Sequence, residues 1–395
     1  MQGKSKYLTR LSTILMFSAL NPAFAVNNAP ADAAVVNVRT NCTEGGVEVT
    51  NCFTSISAMD NWLRNVRQAG PTKPTLVQIG PGTFGSWTCQ VSNVTLRGSG
   101  RDQTTISGQL FGSLQGILIN AGCTNLNVQD LKVVGGSLWG VVTLTADLIT
   151  AWTNVDIESS SYGWTESGPT CSPSARHFWF SSRIRSTGAN GDTSRAYQAV
   201  CAQSWFWGSE ISAIVPTSLS AADSFALKAL GAEVHLYGSN VSVKIASGAN
   251  AGNVSLIRSM QENASKGSEV HIHGTGLDVI HAGSGNVKML DADASSQFHA
   301  NQSAYHIHID GSGSVTRLAG QGMIDAPYQW GPRTAPPPVT SRSGADMYTE
   351  TDCPLNGHCS AGGNFPHIMV YRAECTGTGV NQGPWFDTST KACRQ

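Results

Sequence analysis

The sequence predicts an all-β chain wound into a parallel solenoid, a β-helix, and three observations predict it. Only 13% of the 395 residues are Lys, Arg, Asp or Glu, against roughly 25% in an ordinary soluble domain. Glycine is abundant at 42 residues, and short alternating apolar runs separated by Gly, Ser and Asn mark strands and turns rather than helices. Third, those runs recur. Ser92-Asn93-Val94-Thr95-Leu96, Gln129-Asp130-Leu131-Lys132-Val133 and Thr153-Asn154-Val155-Asp156-Ile157 each place a turn residue before apolar-x-apolar, and the pattern returns at Ile184, Ile211, Val241 and Leu277. Counted on the first apolar residue of each unit, the steps are 37, 24, 29, 27, 30 and 36 residues. A unit this short cannot bury its own apolar face and must stack on its neighbours. A β-sandwich would instead show turn signals about every 8–12 residues, without the longer period.

Taken in order, residues 1–25 read as a secretory signal. Lys4, Lys6 and Arg10 precede the apolar stretch Leu11 to Leu20, and Ala23-Phe24-Ala25 is a small-x-small cleavage site. That stretch is too short to span a bilayer and no later segment approaches about 18 apolar residues, so a secreted chain without membrane insertion is expected. All 10 cysteines follow the cleavage site, and an even count in an exported chain favours disulfides. With 25 basic and 26 acidic residues and no basic run, nucleic acid is not an expected partner. The N-terminal segment 26–74 carries one amphipathic helix over 54–69. Its apolar positions are Ile56, Met59, Leu63 and Val66, with Thr54 or Ser55 as cap. Stacked rungs occupy 75–330. Ala335-Pro336-Pro337-Pro338-Val339 marks a stiff linker over 331–345. Residues 346–395 form a small disulfide-rich segment with four cysteines, either a cap for the open end or, as the linker favours, a binding module.

Residues 75–108, reading TLVQIGPGTFGSWTCQVSNVTLRGSGRDQTTISG, resemble the opening rungs of pectin lyase-like right-handed parallel β-helix proteins. The I-G-P-G-T-F turn, the S-N-V-T-L-R-G strand and the D-Q-T-T-I-S-G closure match in order, and the preceding helix resembles that superfamily's N-terminal cap. The resemblance implies a right-handed coil and a protein that binds or acts on polysaccharide. The W-x-D-H and R-x-P-R signatures of pectate lyases, the G-D-D of polygalacturonases and the Q-D-T-L and D-F-I-F-G motifs of pectin methylesterases are absent. No catalytic residue is therefore carried over.

Candidate residues come from aligning strands on successive rungs. Phe178-Trp179-Phe180, Trp205-Phe206-Trp207, His235-Leu236-Tyr237 and His271-Ile272-His273 form one stack, with His306-Ile307-His308 expected to continue it. The middle residues are apolar and should point inward, so the flanking columns lie outside. Phe178, Phe180, Trp205, Trp207, His235 and Tyr237 then make an aromatic strip suited to sugar rings. The same strip can equally be a structural stacking ladder. His271, His273, His306 and His308 could gather around a transition metal. On the preceding strand, Lys228, Arg258 and Asp291 fall on consecutive rungs, with Asp293 two residues further. A basic side chain there can abstract the proton alpha to a uronate carboxylate while neighbouring cations or Ca²⁺ neutralise the enolate. The two aspartates could bind Ca²⁺ or act as an acid–base pair, and a surface salt-bridge ladder is the plain alternative. Arg176, His177, Arg183, Arg185 and Arg195 make a third basic group that could attract an acidic polymer. Together these predict an exported protein that binds and cleaves an extracellular acidic polysaccharide, with a lyase mechanism preferred over hydrolysis. The competing class is a carbohydrate-binding adhesin or surface structural protein.

Overall fold

The computed structural model describes residues 33–320, apart from 146, 167–173, 190–192, 218–222, 263–265 and 302, together with short strands beyond them. Each turn of the chain visits three sheets. One rung runs Arg195–Val200, Gln203–Trp207 and Glu210–Val215, and the next runs Ser224–Leu230, Glu233–Tyr237 and Asn240–Ile245. We call the sheets holding the first, second and third of these strands the groove, ladder and back sheets. They contain nine, twelve and nine strands, and within each coil a strand's hydrogen-bonded neighbours lie one full turn away along the chain. Pairing between rungs is parallel throughout, and parallel crossovers of L-residues coil right-handed.

The repeat read from sequence is the inward column of the back sheet, with one correction. Ile106, Val133, Ile157, Ile184, Ile211, Val241 and Leu277 stand in register and are buried. Leu131 and Val155 sit two residues ahead of this column, and Val94 lies on the ladder sheet. The outlying 37-residue step therefore mixed two faces of the coil; the true steps are 27, 24, 27, 27, 30 and 36.

On six successive rungs a single left-handed residue turns the chain from ladder to back sheet: Asp130, Asn154, Ser181, Gly208, Gly238 and Gly274, all with φ between 47° and 56°. Asn, Asp and Gly tolerate that conformation, which costs other residues steric strain. The next residue points inward, and a hydroxyl there hydrogen-bonds the rung before it. Ser182 Oγ accepts from Val155 N at 3.1 Å, Ser209 Oγ from Ser182 N at 3.2 Å and Ser239 Oγ from Ser209 N at 3.2 Å. Small hydroxyls thus satisfy buried backbone at the corner, which is why so few charges suffice.

The middle of the coil is filled by aromatic rings. Trp179 stacks on Trp152 (5.2 Å) and Phe206 (5.7 Å) and meets Trp164 edge-on at 5.1 Å, all fully buried. At the N-terminal end the helix Ile56–Trp62 is capped by Ser55, whose Oγ accepts from Ala58 N. It opens into a wider π turn over Leu63–Arg67. Ile56, Met59 and Leu63 seal the core, but the widened turn swings Val66 out to solvent. Trp87 Nε1 donates to Asp60 Oδ1 at 3.1 Å, fastening the cap to the first rung. Disulfides join Cys42 to Cys52 and Cys89 to Cys123, and Cys201 is also disulfide-bonded.

Strands Gln329–Arg333, Met347–Glu350, His367–Tyr371, Trp385–Asp387 and Ala392–Arg394 form a five-stranded sheet, the first of them starting ahead of the expected linker. The signal at 1–25, the proline run and Cys353, Cys359 and Cys375 lie outside the described residues. Among those described, no helix is long and apolar enough to cross a membrane.

Candidate functional site

Lys228, Arg258 and Asp291 stand in register on consecutive strands of the groove sheet, preceded by Gln198. Beside them runs a second column, Tyr162, Arg195, Phe225, Ser255 and Lys288. The two columns share an outer face although their residues are three apart, because Ala226 and Leu227 both turn into the core.

Asp223, just before the strand, gathers the cations. Lys228 Nζ lies 3.6 Å and Arg195 Nη2 3.5 Å from its Oδ2, and Arg258 Nη1 contacts its Oδ1. Arg195 also donates from Nε to the Asp223 carbonyl at 2.7 Å. One rung on, Asp291 Oδ2 is shared by Arg258 Nε (3.2 Å), Lys288 Nζ (3.3 Å) and Ser255 Oγ (3.2 Å). Four cations against these two carboxylates leave a local excess of two positive charges. Aromatic rings floor the cluster. The Arg195 guanidinium sits 4.9 Å above Tyr162 and 5.6 Å from Phe225, and Lys228 Nζ is 5.5 Å from Phe225.

These cations are largely withdrawn from water, with Arg258, Lys228 and Arg195 side chains 7%, 15% and 20% exposed. Burial lowers the pKa of Lys228; Asp223 pulls it back up, but Arg258 and Arg195 add to the lowering. Burial likewise lowers Arg195, again against the pull of Asp223. Hollows open at either end of the cluster. One of about 430 Å³ is lined by Trp139, Tyr162, Glu166 and Gln198. The other, about 420 Å³, is lined by Arg258, Lys288, Asp291 and Asp293.

Asp293 does not join Asp291 as an acid–base or Ca²⁺ pair. Its carboxylate accepts from the Gln261 and Ser295 backbone N–H groups and from Ser295 Oγ. Desolvation works to raise its pKa, yet those hydrogen bonds prevail and hold it below the ordinary carboxylate value. Asp291 in turn is engaged by two cations. Sequence alignment of the strands missed Asp223, Phe225, Tyr162 and Lys288. Asp223 was detectable as part of a polar column two residues ahead of Phe225, in line with Asn253, whose Oδ1 accepts from Arg258 Nη2 at 3.1 Å.

The aromatic strip occupies the outer face of the ladder sheet. Its first column stacks Phe178 on Trp205 (5.1 Å), Trp205 on His235 (5.5 Å) and His235 on His271 (4.5 Å). Its second stacks Phe180 on Trp207 (4.8 Å), Trp207 on Tyr237 (5.9 Å) and Tyr237 on His273 (5.2 Å). Interplanar angles of 3° to 13° mean that ring faces are spent on one another. The strip therefore shows solvent its edges, and a face-on platform for sugars is not what it offers. Arg176 begins one of these strands, exposed, beside Gln203.

Two sequence expectations are corrected here. The column continues through His299, 4.9 Å from His271, and not through His306. His306 and His308 lie on the back sheet opposite Asp278 and Ile280, paired with Asp278 (2.9 Å) and Asp310 (2.8 Å), so the expected four-histidine metal set does not assemble. The five-residue basic group also scatters, because consecutive strands face different ways round the coil. Arg183 and Arg185 pair with Asp156 and Glu158 on the back sheet, Arg195 joins the groove, and His177 is buried. His177 Nε2 lies 2.8 Å from Glu166 Oε1, and Glu166 also accepts from Val200 N at 2.7 Å, tying the groove wall to the core.

The fold and site together define a parallel β-helix with a cationic, aromatic-floored groove on one sheet. No protein-family model and no curated protein matches the chain. Among solved structures it is similar to pectate lyase Pel9A, at 12% identity over 72% of this chain and 78% of that one, with a TM-score of 0.43. It is similar to pectin methylesterase PemA from Erwinia chrysanthemi (10%, 72% and 89%, TM-score 0.39). A third is the A-module of Azotobacter vinelandii mannuronan C-5 epimerase AlgE4 (12%, 68% and 92%, TM-score 0.34). The likeness is of coil architecture, and no residue role is carried from these proteins.

Proposed function

We propose that the chain is an exported β-helix that binds an extracellular acidic polysaccharide along the groove sheet and cleaves it by β-elimination. The observation that carries this reading is the convergence of Arg195, Lys228 and Arg258 on one carboxylate in an outward groove. A uronate carboxylate docking on these cations competes with Asp223 for them, and the excess positive charge draws the polymer in. Lys228, with its pKa lowered, takes the proton alpha to that carboxylate on Nζ. Arg195 and Arg258 stabilise the enolate that forms. Collapse of the enolate makes a carbon–carbon double bond and expels the glycosidic oxygen, which takes a proton from water. Elimination is preferred to hydrolysis because the described carboxylates of the groove are already committed: Asp223 and Asp291 are ion-paired with its cations, and hydrogen bonds hold Asp293 below the ordinary carboxylate pKa.

The test is incubation of the mature protein with a panel of uronate polymers, with and without Ca²⁺. Ultraviolet absorbance of unsaturated products and new reducing ends are followed together. Both signals from wild type, and neither from Lys228→Ala, are expected. Reducing ends without absorbance mean hydrolysis, and binding without either signal means an adhesin.

A further inference from the structure

The ladder sheet carries a repeated Glu-x-His on two adjacent rungs. Glu233-Val234-His235 and Glu269-Val270-His271 stand in register, so the two carboxylates are neighbours and the two imidazoles stack beside them. The rungs on either side replace the carboxylates by Gln203 and Gln297, which confines the negative charge to this pair of strands. The donor atoms of Glu233, His235 and His271 all lie within 4.8 Å of one another. Glu233 Oε1 is 2.8 Å from His235 Nε2, and Glu269 Oε2 is 3.5 Å from His271 Nε2.

We propose that Glu233, His235 and His271, with Glu269 as a fourth donor, form a binding site for a divalent transition-metal ion such as Zn²⁺. Two imidazoles and two carboxylates suit Zn²⁺, Ni²⁺ or Cu²⁺, whereas Ca²⁺ and Mg²⁺ take oxygen donors. Two carboxylates also match the charge of the ion. Ligand bonds of about 2.0–2.1 Å put tetrahedral donors about 3.3 Å apart. The Glu233–His235 contact at 2.8 Å lies about 0.5 Å inside this separation, and modest rotation of partly exposed side chains opens it and brings in the others. Supporting contacts are in place. Gln203 Nε2 donates to Glu233 Oε2 at 2.9 Å, leaving Oε1 for the ion. Tyr237 OH lies 3.4 Å from His235 Nδ1, where it accepts the ring proton once Nε2 is metal-bound. An ion here clasps two consecutive rungs.

The test is Zn²⁺ titration of the untagged full chain by calorimetry, with Co²⁺ absorption as a report of the ligand field. Saturable binding of one ion per chain is expected. His271→Gln and His235→Gln should abolish it, and Gln203→Ala should weaken it by about 10–100-fold, as loss of outer contacts does. His306→Gln and His308→Gln, on the back sheet, should leave it unchanged. Circular dichroism and thermal melting of each metal-free variant separate lost ligation from lost folding. Absence of saturable binding, or binding that survives His271→Gln and His235→Gln in folded protein, overturns the proposal.

Discussion

Asp223→Asn separates two roles of the groove that pull in opposite directions. The substitution keeps the side chain's shape and removes the charge that Arg195, Lys228 and Arg258 share. Arg258 retains Asp291, Ser255 and Asn253, so Lys228 loses most. At an effective dielectric of about 20, its attraction to a carboxylate at 3.6 Å is roughly 4–5 kcal/mol gross. With desolvation partly relieved and an amide oxygen still accepting, a net destabilisation of about 2–3 kcal/mol is expected. A bound polymer carboxylate on the same cations would sit about 6 Å from Asp223. That repulsion is worth about 0.7–2.8 kcal/mol for dielectrics from 80 down to 20. Its removal should tighten polyuronate binding by about 3- to 100-fold, with a steeper loss of affinity as salt is added. Urea denaturation reads the first effect, and calorimetry at several salt concentrations reads the second. Weaker binding by folded Asp223→Asn, or an unchanged salt dependence, would refute the assignment of the polymer to this groove.

Three further outcomes follow from the packing and electrostatics. Trp179→Ala removes a fully buried ring that touches Trp152, Trp164 and Phe206, and urea denaturation should show a loss of about 3–5 kcal/mol. Gly163→Ala places a Cβ 2.5 Å from the Ala196 carbonyl oxygen and 2.6 Å from Ile184 Cγ2; overpacking should cost about 1–3 kcal/mol by the same assay. Burial keeps the pKa of Lys228 in the folded chain below its ordinary value, so between the folded and unfolded values the unfolded chain binds more protons. Stability therefore rises with pH across that window and the gain is absent below the folded pKa. Urea midpoints from pH 7 to pH 10 should climb less in Lys228→Met than in wild type, and identical profiles would contradict the burial.

The coil was legible in the sequence because its inward column is monotonous. Ile184, Ile211, Val241 and Leu277 recur with little else to confuse them. The first rungs were misphased because Asn93-Val94 imitates the ladder-to-back corner while sitting on another sheet. The Lys228–Arg258–Asp291 register was legible for the same reason as the core, since three ungapped strands fix one another. Asp223 was passed over because it precedes its strand, and only the polar column it shares with Asn253 marks it in the sequence. His306 was misplaced because alternation alone cannot tell the ladder sheet from the back sheet when both carry His-x-His. His299, in Gln297-Phe298-His299, keeps the correct pattern with only one imidazole.

The one-residue corner also makes the molecule a ruler. Because the six rungs from Asp130 to Gly274 re-enter the back sheet in the same phase, functional groups along them are graduated at the strand spacing of about 4.8 Å. Lys228 and Arg258 are near each other only because they occupy adjacent graduations. A whole duplicated rung inserted between them should leave the coil foldable while doubling their separation. On the proposed reading such a chain would keep its architecture and lose the elimination activity, which would tie that activity to the number of turns rather than to any loop.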